Sequence, residues 1–235
     1  MSRFKIACVC ALAILCLSYC SSKSVAQEPA KLNTTELLKS MLSWFGEFKK
    51  DELRWAKDDE KTVVRSLQEE SLKAIKTIDE AIRKNKLYED EYLYAKSLQL
   101  DFDALKLLQT GELKSEAKVK ILQGVVDDLK AKAAFEAKNE KGERRVIKVI
   151  AETKRNGAVV KELEVWYVPK GWDGTGKHEE KFPANGSPSD HKLPPGAYMM
   201  WSQVPDVKEK TGEKKPVSVG ENGSSETKID LPAPK

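Results

Sequence analysis

Two histidines, His178 and His191, are the only ones in the chain. With Asp173, Glu179 and Asp190 close by in sequence, they make its one candidate set of ligands for zinc or another divalent ion, whose chemistry would be metal-assisted hydrolysis. The spacing argues against it. Metal sites of that kind use short, regular ligand pairs such as H-E-x-x-H on a helix, whereas these residues are scattered through an irregular stretch rich in glycine and proline. Both histidines are expected to be solvated loop residues, with no metal and no cofactor. Paired carboxylates are the other candidate. Glu162 and Glu164 alternate along an expected strand and would leave one face about 7 Å apart, a spacing that suits glycoside hydrolysis. In a chain with 37 acidic residues such pairs also arise by chance. The chain has no G-x-S-x-G elbow and no phosphate-cradling glycine loop, and Asp173-Gly174-Thr175-Gly176 lacks the further acids of a calcium loop. No catalytic residue is assigned, and the chain reads as non-enzymatic.

Binding is the sharper reading. Trp166 is expected to point away from the core beside Glu162 and Glu164, with Trp172 and Trp201 in or next to the same region. Tryptophans flanked by carboxylates can stack on sugar rings while the carboxylates accept hydrogen bonds from hydroxyls, so Trp166, Trp172, Trp201, Glu162 and Glu164 are the candidate ligand-binding residues. The competing explanation is that Trp166 and Trp201 seal a junction between two parts of the chain.

The elements that must carry these residues are strands. Arg145 to Glu152 alternates apolar and polar positions, Asn156-Gly157 is a tight-hairpin signal, and Val159, Leu163, Val165 and Tyr167 share the expected core face of the next run. A long loop from Pro169 to Leu193, broken by a short strand at Glu179 to Phe182, leads into Ala197 to Val204, which is apolar on both faces. Short strands at Pro216 to Val219 and Glu226 to Leu231 complete the set. Roughly six short strands over about ninety residues argue for an all-β sandwich and not a parallel sheet.

The first half is different. From Asn33 to Lys138 there is no proline, although the chain has 10, and the apolar residues recur at steps of three and four. Four stripes result: Leu38, Met41, Leu42, Phe45, Phe48 and Trp55; Val64, Leu67, Ser71, Ala74, Ile78 and Ala81; Tyr88, Tyr92, Ala95, Leu98, Phe102, Leu105 and Leu108; and Val119, Leu122, Val126, Leu129 and Ala133. Asn33 is a helix cap with Glu36 three residues on, and Gly111 ends the third run. Acid-before-base pairs at i, i+4, namely Glu69–Lys73, Glu80–Lys84, Glu116–Lys120 and Asp128–Lys132, are expected on solvated faces. The stripes predict a helical hairpin or bundle over 33–138. A single helix from Asn33 to Lys84, closer to a coiled coil, stays open at Asp58-Asp59.

At the N-terminus, Arg3 and Lys5 precede a 12-residue apolar run from Ile6 to Leu17, and Ser24-Val25-Ala26 is a small-residue cleavage site. That order predicts a bacterial-type signal peptide over 1–26, too short to span a membrane, and hence a secreted or periplasmic protein with no integral membrane segment after its removal. Cys8, Cys10, Cys16 and Cys20, all four cysteines, lie in it. Leu17-Ser18-Tyr19-Cys20 resembles a lipobox with Tyr19 where that motif has a small residue, which leaves lipid anchoring through Cys20 as the alternative. Residues 1–26 hold three bases and no acid, so the remainder carries 41 − 3 = 38 bases against 37 acids. Nearly neutral and without a basic block, it offers no footprint for nucleic acid. Asn33-Thr34-Thr35 and Asn222-Gly223-Ser224 match glycosylation acceptors, which matters in a eukaryotic source.

Val149 to Lys154, Asn156-Gly157-Ala158-Val159, Leu163 to Pro169 and Leu193-Pro194-Pro195-Gly196-Ala197-Tyr198 together resemble the carboxypeptidase regulatory-like, transthyretin-like β-sandwich. The resemblance covers 145–232. It implies an accessory folding or binding module of secreted proteins, with no catalytic residues to carry over. The expected whole is α+β with two domains, an all-α hairpin or bundle over 33–138 and a transthyretin-like all-β sandwich over 145–232. Its expected role is non-enzymatic protein interaction or scaffolding with a protein partner or cell-surface component; the alternative is a carbohydrate-binding module that takes polysaccharide on its tryptophans.

Overall fold

The computed structural model describes residues 32–50, 55–84, 91–139, 145–183, 186–221 and 223–234, with side chains left aside at 48–50 and 91. The expectations for the leader at 1–26 and its cysteines, the side chain of Phe48, the turn at Asn85-Lys86, Tyr88 and Asn222 lie outside the described residues.

Among the described residues four helices precede the strands: α1 (Thr34–Lys50), α2 (Asp58–Lys84), α3 (Glu91–Leu107) and α4 (Ser115–Lys138). Asn33 caps α1 as its sequence predicts, its side-chain oxygen accepting from the amides of Thr35 at 3.0 Å and Glu36 at 3.3 Å. The long single helix is not formed, because α2 has its own start. Glu60 reaches back to accept from the Lys57 amide at 2.9 Å, which is one half of a capping box, and Asp58, Asp59 and Glu60 place negative charge in the first turn. Of the apolar stripes, Leu38, Met41 and Phe45, Val64, Leu67 and Ile78, Ala95, Leu98 and Leu105, and Leu122, Val126 and Leu129 are all buried in one cluster. Tyr92 is not: it is 55% exposed, and its neighbour Tyr94 fills the interior position instead. No helix among the described residues is long and apolar enough to cross a membrane.

Strands β1 (Ile147–Arg155), β2 (Ala158–Val159), β3 (Glu164–Pro169), β4 (Glu180–Lys181), β5 (Ser189–Leu193), β6 (Gly196–Gln203), β7 (Lys215–Val219) and β8 (Glu226–Pro232) follow, with a turn of 3-10 helix at Lys170–Trp172. They form two sheets. One runs β4-β3-β6-β7, antiparallel throughout; in the other β1 pairs antiparallel with β2 and β5 and parallel with β8. The β1–β8 pair is parallel in a sheet whose other pairs are antiparallel. It joins strands about eighty residues apart, a pairing that local patterning does not encode. Asn156 and Gly157 both adopt positive φ and make the predicted two-residue hairpin, with Arg155 opposite Ala158.

The sheet containing β3 and β6 is covered on both faces. Val165, Tyr167, Tyr198 and Met200 pack into a core with Ile147, Val149 and Leu231 of the other sheet, and Val168, Trp201, Trp166 and Met199 pack against the helices. That is why β6 is apolar on both sides. Val159, expected in the core, ends a short edge strand and is 42% exposed. Helix α4 rides directly over the 3-10 turn. A Cβ on Gly124 would lie 2.6 Å from the Lys170 carbonyl carbon, and one on Gly171 would lie 2.7 Å from a Val125 methyl, so glycine at both positions is what lets helix and turn touch. Residues 32–235 thus make one compact unit.

Candidate functional site

The predicted tryptophan platform is folded inward. Trp166 and Trp201 face each other across β3 and β6 with rings stacked at 6.4 Å, and Trp201 is 3% exposed. Trp172 is 4% exposed and donates its indole N–H to the Leu100 carbonyl of α3 at 3.0 Å. Trp166, expected to point to solvent, is half-buried against the helical core, so these rings lie where the junction reading puts them. Glu164, expected on an open face, is buried instead. It accepts from the Trp166 indole at 3.0 Å and pairs with Lys181 at 2.7 Å, and Lys181 holds it below the usual carboxylate range. Glu162 is exposed and lies in the turn before β3 begins.

The residues considered for a metal are dispersed. Lys214 takes Asp173 at 2.8 Å and Glu179 at 3.4 Å while its ammonium sits 4.4 Å over the Trp201 ring. Asp190 faces Lys148 at 3.7 Å. Among the described residues no group of three or more His, Cys, Asp or Glu is arranged around a common point. His191 also differs from its expected loop setting, since Ser189–Leu193 is a strand paired with β1.

What the fold does bring together is a cleft of about 330 Å3 between α3 and the adjoining ends of β3, β4 and β5. Leu93, Lys96, Ser97 and Leu100 recur at helical spacing and give one wall. Tyr167, His191, Leu193, Pro194 and Tyr198 give the other, and His178 and Glu180 close one side. Tyr167 lies opposite Glu180 in register, and its hydroxyl donates to Glu180 Oε2 at 2.6 Å with His191 Nε2 3.4 Å away. Burial and then Glu180 push the Tyr167 phenol far above its ordinary value, so it stays a neutral donor. Burial lowers His191, only partly opposed by Glu180 and Asp190, so its ring is neutral near pH 7. His178, held at positive φ, packs its ring edge-on against Trp172 at 4.2 Å. The polar groups at the bottom of the cleft are therefore satisfied by one another. Lys96 and Lys192 at its rim are exposed and have no ion pair among the described residues.

A second cluster lies in the interior and was not expected. Asp128 and Lys132 have the i, i+4 spacing of a solvated pair, yet both are buried at the seam between α3, α4 and β6. Lys132 pairs with Asp101 at 2.8 Å and with Asp128, and Asp128 also accepts from the Ala197 amide at the start of β6. One turn further along α4, Glu136 takes Arg145 through two hydrogen bonds, the longer at 3.0 Å. One ammonium serves two carboxyl groups. Burial, and then the charge of Asp128, hold Asp101 well above its ordinary value, so it keeps its proton. Lys132 is pulled down by burial but raised overall by its two partners. The signal that could have distinguished this pair from the outward ones is its register: Asp128 and Lys132 fall beside Val125 and Leu129, on the buried side of α4.

No protein-family model and no curated protein matches the chain in sequence.

Proposed function

We propose that the chain is an exported, non-enzymatic interaction or scaffolding protein of the cell envelope or extracellular space, in which the helices and a transthyretin-like β-sandwich serve as one rigid body. The observation that carries this reading is the shared core: Trp166, Val168 and Trp201 of the middle sheet pack into the same cluster as the helices, so surfaces from both halves hold a fixed relation to a partner. A sandwich is supported by the second cluster, which draws on both sheets. A non-enzymatic role is supported by the seam, where the Asp101 carboxyl, raised by burial, and its partners are at most 2% exposed and out of reach of a substrate. The carbohydrate reading has less support, because Trp172 and Trp201 are covered by the molecule itself.

The test is to express the chain with its leader, follow its export, and expose the purified protein to envelope extract and to insoluble polysaccharides. The reading predicts removal of the leader, saturable retention of a protein partner, and no polysaccharide binding. Saturable polysaccharide binding that Trp166→Ala abolishes, or a chain that stays in the cytoplasm, would overturn it.

A further inference from the structure

We propose that the cleft between α3 and the ends of β3, β4 and β5 is a binding site for a small apolar monocarboxylate, with an aliphatic or aromatic body inside and its carboxylate at the rim. This goes beyond the scaffolding role and does not depend on it. Four observations lead to that class. The volume of about 330 Å3 lies within the range of small-molecule sites and is too small for a folded segment of a partner. The walls are mostly apolar, from Leu93, Leu100, Leu193 and Pro194 to the faces of Tyr167 and Tyr198. Of the polar groups within, Tyr167 already donates to Glu180 at 2.6 Å and faces His191, so a ligand body rich in hydroxyls or amides finds its partners taken, while a hydrocarbon body loses nothing.

The fourth observation is charge. Two exposed lysines, Lys96 from the helix wall and Lys192 from the strand wall, line the cleft with no anionic partner among the described residues. Among the described residues one carboxylate lines the cleft, Glu180, and it is engaged by Tyr167. Two lysines against one carboxylate leave the lining net positive, which disfavours a cation, and a neutral ligand leaves both lysines as they are. A carboxylate at the rim pairs with both while its tail displaces water from apolar walls.

The experiment titrates the full-length protein with octanoate and with 4-phenylbutyrate by calorimetry, beside 1-octanol and octylammonium as probes of the same body without the carboxylate. Expected are saturable binding of at least one acid at one site per chain and weaker binding of octanol and octylammonium. The Lys96→Ala/Lys192→Ala double variant should lose roughly tenfold in acid affinity, the sum of two exposed ion pairs. No saturable binding of either acid would overturn the proposal. So would equal binding of octanol or octylammonium, or an affinity unchanged in the double variant. Because both lysines are exposed, the variant's fold is not at stake, and the outcome leaves the retention of a protein partner untouched.

Discussion

The seam and the cleft are both built where α3 meets the strands, and they treat charge in opposite ways. In the seam every cation is matched inside the molecule: Lys132 by Asp101 and Asp128, Arg145 by Glu136, with the Ala197 amide closing the set. In the cleft the polar interior is satisfied and the cations at the edge are not. Buried charge must be paired because desolvation costs several kcal/mol per ion, so a complete network describes how the molecule holds itself together. Unpaired exposed charge beside apolar walls costs the free protein little and becomes useful when something arrives. The two clusters separate what the chain needs for folding from what it offers to solution.

The comparison breaks most readily at Arg145. Arg145→Met leaves the Glu136 carboxylate buried without its partner, and a loss of about 3–5 kcal/mol in unfolding free energy is expected from urea denaturation. A loss under 1 kcal/mol would mean that the seam opens to water. Gly124→Ala comes next. Its methyl would press on the Lys170 backbone, which has no side chain to move aside, and about 1–3 kcal/mol is expected despite alanine's better helix propensity. A stabilised variant would show that α4 does not ride on the 3-10 turn. The smallest effect is in pH dependence. Because the folded chain keeps a proton on Asp101 that the unfolded chain releases near 3.8, this group's contribution is fully present below that pH and declines as pH rises toward the raised value. Asp101→Asn, which keeps the acceptor for Lys132, is expected to flatten that decline; an unchanged stability-against-pH curve would assign the proton elsewhere.

How far the sequence could be read varied with how local each feature is. The Asn33 cap, the Asn156-Gly157 hairpin and the doubly apolar β6 each depend on a few neighbouring residues, and each stands where its pattern places it. Asp128–Lys132 was illegible because i, i+4 spacing is the same for an exposed pair and a buried one; only the register against Val125 and Leu129 distinguishes them. Trp166 and Glu164 alternate correctly with Val165 and Tyr167, but alternation cannot say that a helical layer covers the second face. Strand β5 escaped because Ser189-Asp190-His191-Lys192 is polar at nearly every position and is held by its pairing with β1. The cleft needs α3 and three strand ends in one place, which no local pattern records.

The distinction between the two clusters is tested most directly by urea unfolding of three proteins side by side: the parent, Lys132→Met and Lys96→Met/Lys192→Met. If the distinction holds, Lys132→Met loses about 3–5 kcal/mol by leaving the buried Asp128 carboxylate and the Asp101 carboxyl without their ammonium, and the double rim variant stays within about 0.5 kcal/mol of the parent. Comparable losses in both variants, or none in Lys132→Met, would contradict it.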